Sequence, residues 1–298
     1  MKKCMIMIFA LFLLMNMIEA EQAINHLEKE VKGVLHTVSP SIVKVISQNH
    51  RNYFATGIVL DKNHVITNTI ITRYPFKRII VRSVKGKQYP AEIVGKDNQS
   101  SILVLEIGKN DLVPIKHAKN FEVGDWIALV GAFYDKFPAI NQGIVSSASE
   151  DRVILNAPVV PGISGGAVVN KTGELIGIIR GRFGFTLEPD YTYQDHSSQI
   201  LVRSPRTRSK DLCVAVPAKK VTRVAEDLIK FGKIRRGWLG VSIDINAETV
   251  LVTRVSENSP ADKGGIQKGD IILAIDGKAM EKPNDIFAAI KSLRPEQK

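Results

Sequence analysis

The chain has two cysteines, Cys4 and Cys213, in 298 residues. That is too few for a disulfide framework or for a cysteine-built zinc site. Histidine is sparse as well, and none lies between His64 and His117, so no imidazole is available from that interval. The one marked apolar stretch, Met5 to Ile18, is shorter than the ~20 residues a membrane span needs. A mean hydropathy of 0.00, with 44% hydrophobic and 24% charged residues, excludes a disordered chain, a collagen-like repeat and a polytopic membrane protein. What remains is a soluble chain long enough for two or three domains at ~100–150 residues each. The 41 Lys and Arg against 30 Asp and Glu give +11. That excess points weakly to acidic partners and bears on solubility rather than fold; no nucleic-acid partner is expected from it.

Lys2 and Lys3 precede the apolar stretch, which closes on Glu19-Ala20. A positive start, a short apolar core and a small final residue describe a secretory signal peptide over 1–20. Ile18 and Glu19 are unusual before a cleavage point, so an uncleaved anchor stays open as the alternative. A periplasmic or secreted location in a bacterial cell envelope is expected. Cleavage would leave Cys213 as the sole thiol.

Ile24, Leu27, Val31, Val34, Leu35 and Val38 fall at helical spacing, and Ser39-Pro40 stops that helix. Twelve short β-branched runs follow. Six are Ile42–Ile46, Gly57–Leu60, Val65–Ile71, Arg78–Val84, Ala91–Val94 and Ile102–Ile107. After a pause over 108–120 come Trp126–Val130, Gly143–Ser147, Arg152–Leu155, Gly166–Val169, Leu175–Ile179 and Cys213–Val216. Short, closely spaced runs with no helix between them predict antiparallel barrels or a sandwich, and their two groups of six predict two similar barrels. A helix with Pro217 in its first turn, Val221, Val224, Leu228 and Phe231 on one face and Gly232 as its stop closes this region at 232. Residues 233–236 are a basic linker, and 237–298 a separate small α/β unit. The stretch 180–211 shows little periodicity and carries Arg180, Arg182, Arg203, Arg206, Arg208 and Lys210. A solvated mobile loop and a basic partner-binding loop both fit it.

The chemistry-bearing motif is Gly162-Ile163-Ser164-Gly165-Gly166. Such a turn projects a serine hydroxyl, and the N–H groups of Gly162 and Ser164 can form an oxyanion hole for acyl transfer. Alone the pentapeptide is a moderate signal. Its surroundings, Asn156-Ala157-Pro158 before it and Gly173-Glu174-Leu175-Ile176-Gly177-Ile178 after it, resemble the nucleophile region of the HtrA/Deg family of trypsin-like envelope serine proteases. So do Thr37-Val38-Ser39-Pro40-Ser41-Ile42-Val43, the pair Gly57–Asp61 and Val65–Asn68, the run Gly95-Lys96-Asp97 through Leu105, and Val214-Ala215-Val216-Pro217. Gly237-Trp238-Leu239-Gly240-Val241, with Ser259-Pro260-Ala261, Gly269-Asp270-Ile271-Ile272 and Ile275-Asp276-Gly277, resembles a PDZ domain. The resemblance implies a mainly β, trypsin-like double six-stranded barrel followed by a small α/β PDZ domain. It also implies a homo-oligomer, a trimer. No cofactor and no metal is expected; Asp190, Asp195 and His196 read as solvated loop groups.

The departures from the family pattern matter most. The family reads Thr-Asn-x-His, whereas this chain reads Thr67-Asn68-Thr69-Ile70, so Ile70 stands at the histidine position. Ser101 stands at the aspartate position ahead of Ile102-Leu103-Val104-Leu105, leaving only Ser164 of the triad. A serine hydroxyl needs an adjacent base, and loss of the base costs about 10⁶ in turnover in a related chemistry. His64 lies beyond an apolar strand, and His196 is the best substitute base, although a solvated loop histidine is the plainer reading. Asp97 is expected in a turn. Ser164 is then vestigial, or it makes a polar contact with bound peptide. The reading is a catalytically degenerate HtrA-like protein that binds peptides, unfolded chains or partner proteins as scaffold or regulator. The alternative is an active serine endopeptidase whose base is unplaced.

In a PDZ domain an extended peptide adds to a sheet edge and its terminal carboxylate meets loop N–H groups. By resemblance Trp238, Leu239, Gly240 and Val241 form that peptide-binding loop for C-termini. Trp238 would cover a terminal side chain or pack as core. Asn284-Asp285 are expected to cap a helix with Ile286, Ala289, Ile290 and Leu293 on its apolar face. The family's closing strand is not found before Lys298.

Overall fold

A computed structural model describes residues 21–22, 25–49, 52–134, 136–186, 191–195, 198–202, 206–234 and 238–292. The signal peptide expected over 1–20 lies outside these residues, as do His196 and Leu293. The chain forms two compact units, Met1–Lys233 and Ile234–Lys298. No described helix is long and apolar enough to cross a membrane.

The first unit opens with helix α1 over 25–38, in which Val34 and Val38 are buried while Leu27 is exposed. Ser39 Oγ donates to the Leu35 carbonyl at 2.6 Å, and Ser39–Ser41 form a 3-10 turn as Pro40 breaks the α ladder. Strands β1 (Ile42–Gln48), β2 (Tyr53–Val59), β3 (His64–Asn68), β4 (Arg78–Ser83), β5 (Gln88–Asp97) and β6 (Ile102–Ile107) close a barrel in the order β1-β2-β3-β6-β5-β4. Every pairing in it is antiparallel, and β1 meets β4 to remove the open edges. Val43, Val45, Val59, Val65, Leu103 and Leu105 fill its interior. They are the β-branched and leucine positions of the runs that predicted these strands.

The second barrel consists of β7 (Trp126–Phe133), β8 (Lys136–Ala148), β9 (Val153–Asn156), β10 (Ala167–Val169), β11 (Leu175–Thr186) and β14 (Arg206–Pro217), in the order β10-β11-β14-β9-β8-β7. Its core holds Ile127, Leu129, Leu155, Ile163, Ile179 and Cys213. Helix α2 (Ala218–Phe231) buries Val221, Val224, Ala225 and Leu228. Gly232 ends it in the left-handed region at φ 67°, donating to the Leu228 carbonyl at 2.8 Å. The segment over 108–125 is stitched to both barrels: Ile115 N–H donates to the Val59 carbonyl at 3.0 Å and Ala118 N–H to the Leu175 carbonyl at 3.0 Å.

Two local expectations are corrected. Val65–Ile71 is not one strand; β3 ends at Asn68 and Thr69–Thr72 is a 3-10 turn. Asn68 Oδ1 accepts from the Ile70 N–H at 2.9 Å, and that side-chain cap competes with the ladder. The stretch 180–211 is not a loop in its described parts. β11 runs on to Thr186 and pairs with the start of β14 (Gly184 with Arg208, Thr186 with Arg206), and β12 (Tyr191–Asp195) pairs with β13 (Ser198–Val202). A ribbon that runs past a barrel has no core face to alternate against, so the period-two apolar signal is missing.

The second unit carries β15 (Val241–Ile243) paired with β16 (Val252–Val255), helix α3 (Pro260–Lys263), the short pair β17 (Ala274–Ile275) and β18 (Lys278–Ala279), and helix α4 (Pro283–Ser292). Val250, Met280 and Ile286 are its buried core, with Leu239, Val241, Ile243, Ile272, Ala289 and Ile290 packed against them. Helix α4 begins at Pro283, one residue before the expected cap pair. The Asp285 carboxylate accepts from the N–H groups of Glu281 at 3.0 Å and Lys282 at 2.8 Å, tying the entry of the chain to the first turn.

Candidate functional site

The nucleophile turn lies where β2 of the first barrel meets the second barrel, and Thr56 makes the seam. Its N–H donates to the Ser164 carbonyl at 3.0 Å, and its hydroxyl donates to the Gly162 carbonyl at 2.9 Å. The same hydroxyl accepts from the Ala132 N–H at 2.8 Å, and the Thr56 carbonyl accepts from Thr67 Oγ1 at 2.7 Å. Thr56 is fully buried, so each of its polar atoms must be paired inside the protein, and each is.

The turn itself follows from its glycines. Gly162 and Gly165 hold φ of 98° and 83°. A Cβ on Gly165 would collide with the Thr56 carbonyl oxygen and press on the Asn68 amide nitrogen. Gly165 N–H donates to the Ile179 carbonyl at 2.8 Å, and Ile179 N–H donates to the Gly166 carbonyl at 2.9 Å. Serine 164 is therefore presented on a turn wedged between the end of β3 and the start of the β11 ribbon.

Planarity of the peptide unit fixes where the donors point. The Pro161 carbonyl accepts from the Tyr134 N–H at 2.7 Å, so the Gly162 N–H is directed the opposite way. The Ile163 carbonyl accepts from the Gly166 N–H at 2.7 Å, which directs the Ser164 N–H away from that contact. Neither N–H has a hydrogen-bond partner among the described residues, and neither does Ser164 Oγ.

At the position expected for the base, Ile70 sits in the 3-10 turn after β3 with its side chain 46% exposed. At the position expected for the acid, Ser101 adopts φ 61°, and its carbonyl accepts from the Thr69 N–H at 3.1 Å. Positions 70 and 101 thus remain neighbours, as a base–acid pair needs, but carry no proton acceptor for Ser164. Asp97 is buried at the start of the turn, where its carboxylate accepts from the Ser100 N–H at 3.0 Å, the Ser100 hydroxyl at 2.6 Å and the Gln99 N–H at 3.3 Å. His64 pairs through Nδ1 with Asp61 at 2.9 Å at the far end of β3.

Two residues at this site escaped the sequence reading. Thr56 is one; a lone threonine within a buried run is its only trace. Arg180, named from the sequence only as part of the basic stretch 180–211, is the other. Its Nε donates to Ser101 Oγ at 3.2 Å and its carbonyl accepts from Asn68 Nδ2 at 3.1 Å, so it touches the position expected for the acid and the residue that caps the turn carrying Ile70. Arg182, two residues on, donates through Nε and Nη2 to the Val159 carbonyl at 3.3 and 3.2 Å.

In the second unit, Gly240 holds φ 86° with Ser259 packed where a Cβ would stand. The Leu239 carbonyl accepts from the Ala261 N–H at 2.9 Å and the Gly240 carbonyl from the Ser256 N–H at 2.8 Å. The N–H groups of Gly240 and Val241 therefore point away from these contacts. Beside them, β15 pairs with β16 alone among the described residues. Trp238 is 62% exposed and is not core.

Two closed six-stranded barrels with a serine turn at their seam, followed by a small unit with an open β edge, define a trypsin-like peptidase fold with a PDZ domain. Residues 51–178 match the trypsin-like peptidase domain family and residues 251–298 the PDZ domain family. The chain belongs to the HtrA/Deg family. It is 30% identical to a probable periplasmic serine endoprotease DegP-like of Pseudomonas fulva, over 80% of this chain and 49% of that protein. It is 26% identical to the serine endoprotease DegS of Haemophilus influenzae, over 90% of this chain and 81% of that one. The chain spans about half the length of the DegP-like relatives. Among solved structures, the serine endoprotease from Yersinia pestis superposes with a TM-score of 0.72 at 26% identity, covering 89% of each chain. The HtrA-type protease AlgW with decapeptide superposes with a TM-score of 0.73 at 21% identity, over 90% of this chain and 92% of that one, and shows the shared fold. The protein is one of the periplasmic cell envelope.

Proposed function

We propose that this protein is a catalytically degenerate member of its family that binds peptides, unfolded chains or partner proteins, as a scaffold or as a regulator of an active relative. The observation that carries the reading is Ser164 Oγ without a hydrogen-bond partner among the described residues, with Ile70 where a base is required. An isoleucine accepts no proton, and without a base the serine keeps only what binding and the oxyanion donors supply, about 10³–10⁴ over water in the serine-protease template. The unpaired N–H groups of Gly162 and Ser164 remain available to a peptide carbonyl. The open edge of β15, with Trp238, Leu239, Gly240 and Val241 at its start and α4 beside it, suits a C-terminal peptide added as a strand. Assembly as a homo-oligomer, a trimer, follows from the family resemblance.

The retained turn and the relatives named endoproteases favour a second reading, an active serine endopeptidase with a base outside the described residues. Fluorophosphonate labelling of the purified protein, read by intact mass with Ser164→Ala as control, separates the two. The expected result is no adduct and no casein cleavage, together with binding of fluorescein-labelled unfolded casein by anisotropy. A stoichiometric adduct that disappears in Ser164→Ala would establish the peptidase reading, and binding without either activity the scaffold.

A further inference from the structure

The surface that replaced the base is positively charged. A cleft of about 310 Å³ opens over Ile70, with Arg73 and Lys96 as its charged lining and Asn68, Thr72 and Asn98 among its polar lining. No lining residue is acidic. The neighbouring carboxylate, Asp97, is buried and accepts hydrogen bonds from Gln99 and Ser100. Arg180 approaches along the Asn68 wall through the contacts to Asn68 and Ser101 already described. Among the described residues, no carboxylate lies in ion-pair range of Arg73, Lys96 or Arg180.

Two cations lining one small cleft, with Arg180 held next to it at Ser101 and Asn68, are hostile to a catalytic imidazole, because an imidazolium would have to form among like charges. They suit the opposite ligand. An arginine fork and a lysine ammonium make charge-assisted hydrogen bonds to a carboxylate, and amide and hydroxyl groups beside them complete its partners. The exposed side chain of Ile70 at the cleft offers apolar surface to a methylene chain, which an inorganic anion lacks.

We propose that the vacated base position is a specificity subsite for an acidic side chain, a glutamate, of a peptide bound across the barrel seam. This rests on the peptide-binding reading above for the source of the side chain, and the two can fail separately. The test has two arms on the full chain. In the first, the Nε–Hε NMR resonances of Arg73 and Arg180 are followed as N-acetyl-glutamate amide, N-acetyl-glutamine amide or inorganic phosphate is added. Shifts with the glutamate compound alone are expected. No shift, or shifts as large with phosphate, would overturn the subsite.

In the second arm, anisotropy compares two fluorescein-labelled decapeptides that differ by one central Glu or Gln in a Val/Ser/Thr background. Both carry an amidated C-terminus that the PDZ loop cannot hold as a carboxylate. At low salt the glutamate peptide should bind about tenfold tighter, the size of one charge-assisted contact, and the preference should shrink as salt screens it. Arg180→Gln with Lys96→Gln should erase the preference while leaving the melting temperature unchanged, since both side chains are exposed. Equal binding of the two peptides to the wild-type protein, or a preference that survives the double substitution, would also overturn the subsite. Binding of neither decapeptide, with the first arm positive, would leave the carboxylate pocket standing and sink the peptide-binding reading.

Discussion

At Gly165 a single hydrogen atom decides whether the nucleophile turn exists. Its φ of 83° and the backbone atoms of Thr56 and Asn68 leave no room for a methyl group. Gly165→Ala joins left-handed strain of roughly 1–2 kcal/mol to overpacking against backbone of roughly 1–3 kcal/mol. A loss of about 3 kcal/mol is expected, seen as a lower urea midpoint at constant slope. Ser164→Ala should move the midpoint by less than about 0.5 kcal/mol, because the hydroxyl anchors nothing. Equal effects of the two substitutions would show that the serine holds the turn. The residues of this site divide by how far their partners lie along the chain. Gly162, Ser164, Ile70 and Ser101 sit in short local patterns and were legible. Thr56 acts on Gly162 across 106 residues and Arg180 on Ser101 across 79, and no local pattern records a contact of that span.

Strands and connections carry their own titration behaviour. His117 lies in the segment joining the barrels, bridged to Leu175, and burial pushes its imidazole below the ordinary value of 6.5. As pH falls through 6.5 toward that lower value, the unfolded chain takes up the proton first, so the folded state loses stability; above 6.5 the contribution is complete. Urea midpoints should fall between about pH 8 and about pH 5.5, and His117→Gln should flatten part of the fall. An identical pH profile in the variant would remove His117 as its source. On β14, burial pushes the Cys213 thiol up to about 12. Ellman's reagent at about pH 8 should spare Cys213 in the native protein and modify it in concentrated guanidinium; rapid native modification would mean that β14 opens readily. The barrel strands were legible because their inward residues are β-branched. The outer reach of β11 and β14 was not, since pairing there is carried by backbone without an apolar face.

The whole molecule has three cores of unequal size. Each barrel closes on itself around a dozen or so buried side chains, whereas the PDZ unit has Val250, Met280 and Ile286 at its centre. Units near 60 residues are marginal in stability, so calorimetry should resolve two transitions, the lower belonging to the PDZ unit. Hydrogen exchange should assign it, with β15 to β18 exchanging before the barrel strands. A single cooperative transition would contradict this. The division itself was legible, through two groups of six apolar runs and a basic junction at 233–236. The seam was not, and it bears on how such chains are sorted. Thr56 and Ile179 grip the glycine turn through hydrogen bonds to its backbone that make no use of the serine hydroxyl. Natural selection acting on fold stability alone would therefore hold the glycines of this turn in place while leaving the serine between them free to change. The glycines of the Gly-x-Ser-Gly-Gly pentapeptide thus record a well-packed seam, and their presence by itself says nothing of proton transfer.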